Sequence, residues 1–167
     1  MKTFGTEHTY PATPEQVRAM LADPAFRERV AHAQGVVGVE VQVDPPDAAG
    51  SPAVPFTLVC RTEQDTSGLP AIARKFVGAT TTSVVTETWH SPEAATVTIE
   101  APGQPISSSG TVTLTPEGTG TTHTVEVKVT VKIPVVGGKL EALVVDALAA
   151  GYRIEHETGT AWLEGTR

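Results

Sequence analysis

The sequence predicts an α+β fold in which a curved antiparallel β-sheet wraps around a long C-terminal α-helix. Three observations carry this reading. Valines recur at every second position over residues 37–43 and again over 125–131, the period of a strand with one buried face. From Val136 to Trp162 the apolar spacing becomes that of a helix with one broad stripe. Between these, strand-like runs follow one another through short turns, which antiparallel pairing permits and parallel pairing does not.

Residues 2–10 open the chain as a strand that alternates Phe4, Thr6, His8 and Tyr10 against Thr3, Gly5, Glu7 and Thr9. Pro11 ends it, and Thr13-Pro14-Glu15-Gln16 has the spacing of a capping box with proline at the first helical position. A short helix through Val17, Met20 and Leu21 follows. Asp23-Pro24 repeats the device and begins a second helix, through Phe26, Val30 and Ala33, which Gly35 stops.

The run from Val37 to Val43 is a half-buried strand with Glu40 and Gln42 on its outer face. Asp44 to Pro55, rich in Pro, Ala, Gly and Asp, is expected to be a mobile turn. Residues 56–63 form a strand with apolar side chains on both faces, so its inner face stays open, as does that of 80–90. Over 68–76, Leu69, Ile72 and Phe76 have helical spacing, consistent with a short helix or a lid.

Further strands are expected over 80–90, 95–100, 110–115 and 123–133, separated by Ser91-Pro92, Pro102-Gly103 and Glu117-Gly118-Thr119-Gly120. On the final helix Val136, Leu140, Leu143, Val144, Ala147, Leu148, Gly151, Ile154 and Trp162 share one face. Lys139, Asp146, Arg153, His156 and Glu157 fall opposite and read as a solvated surface. A helix this long with one apolar stripe needs a concave apolar partner, which the valine faces supply.

No internal repeat or linker divides the 167 residues, so one domain over 1–167 is expected. A net charge of −7, with no cluster of Lys or Arg, removes the counterion-release term that drives nucleic-acid binding. Anionic membranes are poor partners for the same reason. The first residues lack the apolar run of a signal peptide, and no stretch is long and apolar enough to cross a membrane. With the single cysteine, Cys60, this points to a cytoplasmic protein.

Three motifs carry bland readings. Gly137-Gly138-Lys139 resembles the end of a phosphate-binding loop, but the earlier glycine is missing and Leu140 stands where a magnesium-holding hydroxyl belongs. The glycines instead suit close backbone approach at the turn into the helix. His156 has no second histidine four residues on, as a zinc helix would need, and reads as solvated. Cys60 is expected to be a buried structural thiol. No metal site and no cofactor is implied.

The order strand, helix pair, antiparallel strands, long helix resembles the START-like superfamily, also called polyketide-cyclase/Bet v 1-like, SRPBCC or helix-grip. The resemblance spans nearly the whole chain. It rests on Tyr10-Pro11-Ala12-Thr13-Pro14-Glu15-Gln16-Val17, Leu21-Ala22-Asp23-Pro24, Glu87-Thr88-Trp89 and Ile133-Pro134-Val135-Val136-Gly137-Gly138-Lys139-Leu140-Glu141. The last two resemble an uncharacterised bacterial branch.

The resemblance implies a cavity between sheet and helix, used in relatives for lipids, hormones or polyketides and in some for cyclisation or hydration. It brings no shared catalytic residue. The pocket is expected to be lined by Thr6, His8, Tyr10, Val127, Val129, Leu140, Val144, Ala147, Leu148 and Gly151. Small Ala147 and Gly151 at mid-stripe imply either close sheet contact or open space, of which open space is the favoured reading.

The function expected from this is binding of a hydrophobic or amphipathic small molecule, lipid- or polyketide-like. One alternative is a cyclase- or hydratase-type enzyme using His8 and Tyr10 for acid/base work, with His123 a weaker candidate. Another is a protein-interaction module, with the partner unspecified.

Overall fold

The structure, a computed structural model, describes residues 1–165. Its elements are β1 (Lys2–Tyr10), α1 (Pro14–Leu21), α2 (Pro24–Ala33), β2 (Gly38–Asp44), β3 (Phe56–Asp65), α3 (Ala71–Arg74), β4 (Thr80–Ser91), β5 (Ala94–Glu100), β6 (Ile106–Glu117), β7 (Gly120–Val131) and α4 (Gly137–Leu163). The strands form one curved antiparallel sheet in the order β1-β7-β6-β5-β4-β3-β2, so β1 alone pairs with a strand distant in sequence. At ~1.5 Å per residue α4 is about 40 Å long and crosses the sheet's inner face, packing on β1, β7 and α2.

Both caps at the helix pair form as their sequences dictate. The Thr13 hydroxyl accepts from the Gln16 N–H at 3.2 Å while Gln16 Oε1 accepts from the Thr13 N–H at 3.0 Å. Asp23 accepts from the Ala25 N–H at 2.9 Å and starts α2 directly after α1. The two helices therefore turn a fixed corner, which places α2 alongside α4 and aims Arg27 inward, against Glu155 of that helix.

The period-two alternation assigns the inner face on each strand. Phe4 and Tyr10 on β1 and Val125, Val127, Val129 and Val131 on β7 are buried. The inner faces that stayed open in the sequence are Phe56, Leu58, Cys60 and Thr62 on β3, and Val85, Glu87 and Trp89 on β4. Glu87 is thus a carboxylate on the core side.

Several boundaries differ from expectation. Val37 lies outside β2 and is 63% exposed. β6 begins at Ile106, because Ser107, Ser108 and Ser109 pair with Glu100, Ile99 and Thr98 of β5 although their side chains carry no strand signal. β7 begins at Gly120, which puts His123 inside the strand, and ends at Val131. The 44–55 segment is not a loose turn: Pro46–Ala48 make a 3-10 turn that buries Ala48, and the Gly50 N–H donates to Ala22 O at 3.0 Å. In the 68–76 segment only Ala71–Arg74 is helical.

A Cβ on Gly137 would lie 2.7 Å from Val131 O, so a glycine is needed where β7 turns into α4. Near the other end of α4, a Cβ on Gly159 would lie 2.7 Å from the Tyr10 ring. This close contact seats the C-terminal half of α4 tightly on β1, and the sheet beyond β7 is left to curve away from the helix.

Candidate functional site

On the far side of that curve, a cavity of about 360 Å³ opens between α4, α2, the Leu69–Val77 segment, the inner faces of β3 to β6 and the end of β7 at Val131. Its walls are mainly apolar, including Val30, Leu69, Phe76, Val85, Ile99, Ile106, Leu140, Val144 and Leu148. It stays unfilled because the side chains aimed at it are small: Cys60, Thr62, Ser83 and Ser108 from the sheet, Ala147 and Gly151 from α4. Protein interiors otherwise pack to crystal-like density.

Of the residues predicted for the pocket, Leu140, Val144, Ala147, Leu148 and Gly151 line this cavity. Gly151 also meets α2, where its carbonyl accepts from Gln34 Nε2 at 3.0 Å. Thr6, His8, Tyr10, Val127 and Val129 face inward but lie outside its lining. They belong to β1 and to the part of β7 before Val131, on the two strands against which α4 packs. Cys60 borders the cavity and is only half-buried, and burial pushes its thiol pKa up, which suits a neutral thiol rather than a nucleophile.

The polar part of the cavity was not among the predicted site residues. Arg27, Glu87 and Glu155 converge there, all buried. Arg27 Nη2 donates to Glu87 Oε2 at 2.8 Å, Nη1 to Glu155 Oε2 at 3.4 Å and Nε to Leu21 O at 2.7 Å. Glu87 Oε2 also accepts from Trp89 Nε1 at 3.1 Å. Burial disfavours the charge on Arg27, but the two carboxylates outweigh it and hold the guanidinium protonated. One cation facing two carboxylates leaves the second carboxyl group underpaired. Burial, opposed by Arg27 and reinforced by Glu87, pushes Glu155 up to about 7.

Both carboxylates left a signal in the sequence. Glu87 stands two residues from Trp89 and therefore shares its strand face. Glu155 stands seven residues after Leu148 and seven before Trp162, within the apolar stripe of α4.

A second cluster lies under α4 at β1 and β7. His156 is not a solvated histidine. Its ring stacks on His8 with centroids 4.7 Å apart and contacts Tyr10 at 5.1 Å, and its Nε2 donates to Thr9 O at 2.9 Å. The helical wheel misplaced it because α4 touches β1 beside the stripe as well as β7 beneath it. Tyr10 is 0% exposed and neither its hydroxyl nor His8 Nδ1 has a hydrogen-bond partner among the described residues. Burial raises the Tyr10 pKa, and burial together with His156 lowers that of His8.

His123, 2% exposed between Tyr10 and Tyr152, is held down to about 3 by burial first and then by Arg27, His8 and His156. Its folded pKa lies below the ordinary ~6.5, so the unfolded chain takes up the proton first. The associated stability is complete above ~6.5 and falls by up to ~1.4 kcal/mol per pH unit toward 3. Glu155 has the opposite sign between ~4.5 and 7, so wild type alone does not separate the two. The stability of His123→Phe relative to wild type should therefore rise by about 2 kcal/mol between pH 7 and pH 4.5 in denaturant titrations. A difference that stays constant with pH would remove His123 from the acid response.

Among the described residues no group of His, Cys, Asp or Glu could hold a metal ion, and no helix is long and apolar enough to cross a membrane. A family model described as "Protein of unknown function (DUF2505)" matches residues 6–163. No curated protein matches the chain. Solved structures of similar fold include the Thermus thermophilus protein TTHA0849, at 19% identity and TM-score 0.63, covering 96% of this chain and 98% of that one.

Another is the di-domain ARO/CYC StfQ from the steffimycin biosynthetic pathway, at 15% identity and TM-score 0.65, covering 97% of this chain and 50% of that one. A third is norcoclaurine synthase from Thalictrum flavum, at 11% identity and TM-score 0.59, covering 98% of this chain and 87% of that one. These likenesses establish the helix-grip fold.

Proposed function

The chain belongs to the DUF2505 family, and we propose that it binds an amphipathic small molecule in the cavity between α4 and the sheet. The observation that carries this is a cavity of about 360 Å³, within the size range of small-molecule sites, with mainly apolar walls and a buried Arg27–Glu87–Glu155 cluster. A few fixed polar groups in an apolar pocket orient a ligand, while the walls supply the affinity.

A neutral fluorescent probe, N-phenyl-1-naphthylamine, should bind wild type with enhanced emission. Ala147 lines the cavity yet is exposed, so a large side chain there meets space rather than core. Ala147→Trp should remove probe binding while costing only about 0.5 kcal/mol of stability, its loss of helix propensity. A wild type that leaves the probe dark, or a variant that binds it as well as wild type, would count against the cavity as the binding site.

One observation favours a second reading, acid/base chemistry on the bound molecule. A carboxyl group pushed up to about 7 in a cavity is poised to give and take a proton near neutrality, and Glu155 holds that position in place of His8 and Tyr10. Under this reading Glu155→Gln abolishes turnover of a bound substrate and leaves its affinity nearly unchanged.

A further inference from the structure

We propose that the polar end of this cavity recognises a hydrogen-bond donor, a hydroxyl or a protonated amine, on an otherwise apolar molecule and discriminates against a carboxylate. The inference rests on the ligand-binding reading above and adds to it the chemistry of the polar group.

Arg27 is the one cation among the described residues that line the cavity, and it is already committed to Glu87, Glu155 and Leu21 O. Glu87 and Glu155 face it from β4 and α4. An incoming carboxylate would therefore find no free cation and would meet like charge at reduced dielectric. An incoming donor finds acceptors. The hydrogen bonds of both buried carboxylates run through Oε2, so Oε1 of Glu87 and Oε1 of Glu155 have no partner among the described residues.

Ser108 is an independent sign that this cavity answers to polar ligand atoms. It lines the cavity from β6, is 5% exposed, and its hydroxyl has no hydrogen-bond partner among the described residues. In the sheet register Glu87 pairs with Val97 and Val97 with Gly110, so Ser108 sits on the same inner face two residues further along β6. A buried hydroxyl without a partner is costly unless something else supplies one.

The groups facing Glu155 are Arg27 from α2, Glu87 from β4, Tyr10 from β1, Cys60 from β3 and Tyr152 from its own helix. Of these, Arg27 stays charged and both tyrosines stay neutral through the neutral range. Raising the pH from about 6 to about 8 thus makes the site more negative chiefly at Glu155.

The test displaces N-phenyl-1-naphthylamine from wild type with decanol, decylamine and decanoate, three molecules of one chain length. At about pH 8 decanol and decylamine should compete at concentrations at least roughly tenfold below decanoate. Decylamine should tighten between pH 6 and pH 8. Glu155→Gln, which removes one negative charge, should narrow the gap between decanol and decanoate severalfold. Decanoate competing as well as decanol for bound probe would overturn this inference and leave the cavity reading standing. Failure of the probe to bind wild type would overturn the cavity reading itself.

Discussion

Arg27→Met is expected to lower stability by roughly 3–5 kcal/mol, the loss found when one partner of a buried ion pair is removed. Methionine fills much of the same volume, so the effect isolates charge. The substitution strips Glu87 Oε2 of its 2.8 Å partner and Glu155 Oε2 of its 3.4 Å partner, and leaves the Leu21 carbonyl without the Nε donor. Both carboxylates are then buried with only Trp89 Nε1 to answer Glu87. They must protonate or draw in water.

The companion variant Arg27→Met/Glu87→Gln/Glu155→Leu removes all three charges while keeping an acceptor for Trp89. It should return to within about 1 kcal/mol of wild type or exceed it, because desolvating an ion triad costs nearly what its Coulomb attraction returns. Denaturant midpoints at constant m measure both. An Arg27→Met variant as stable as wild type would mean that the triad is hydrated through the cavity mouth.

The fold and the triad differ in how visible they are in the chain, for a physical reason. Strands announce themselves through valines at every second position, and α1 through Thr13 and Gln16 closing a capping box. These are local signals. Burial of Glu87 and Glu155 is decided by what faces them, α2 carrying Arg27, more than 50 residues away in sequence. Helical spacing puts Glu155 within the apolar stripe and strand spacing puts Glu87 on the face of Trp89, yet a carboxylate at such a position reads as an exception until its partner is known.

The cavity lining departs in part from the expected one for the same kind of reason. Thr6, His8, Tyr10, Val127 and Val129 are on the inner face as the alternation requires, but whether an inner face borders space or helix depends on where α4 touches the sheet. Gly159 decides that contact by letting Tyr10 and Met20 approach the helix backbone, and nothing in its own sequence neighbourhood says so. His156 was misplaced by the same contact.

Gly110→Ala is the other substitution expected to have a large effect, about 3 kcal/mol or more, at the severe end of overpacking. A Cβ there would collide with Glu126 O and would lie 2.7 Å from Glu126 C and 2.8 Å from Val127 Cα. All three are backbone atoms of β7, so no rotamer change relieves the clash. Gly110 has no positive φ, which makes the effect steric rather than conformational. The only response is for β6 to move off β7 at the point where Gly110 faces Val127 and Thr111 faces Glu126 in the register. That movement breaks ladder hydrogen bonds in the middle of the sheet.

It would also shift Ile106 and Ser108, which reach the cavity from the same strand, so probe affinity should fall together with the midpoint. Gly138→Ala is the control. Gly138 lies in the first turn of α4 with nothing within 4 Å of the place a methyl group would take, and alanine there should be neutral or stabilising by up to about 1 kcal/mol. Equal midpoints for the Gly110 and Gly138 variants would show that β6 and β7 have room to separate, and that the absent side chain at Gly110 does not hold the sheet to its curve.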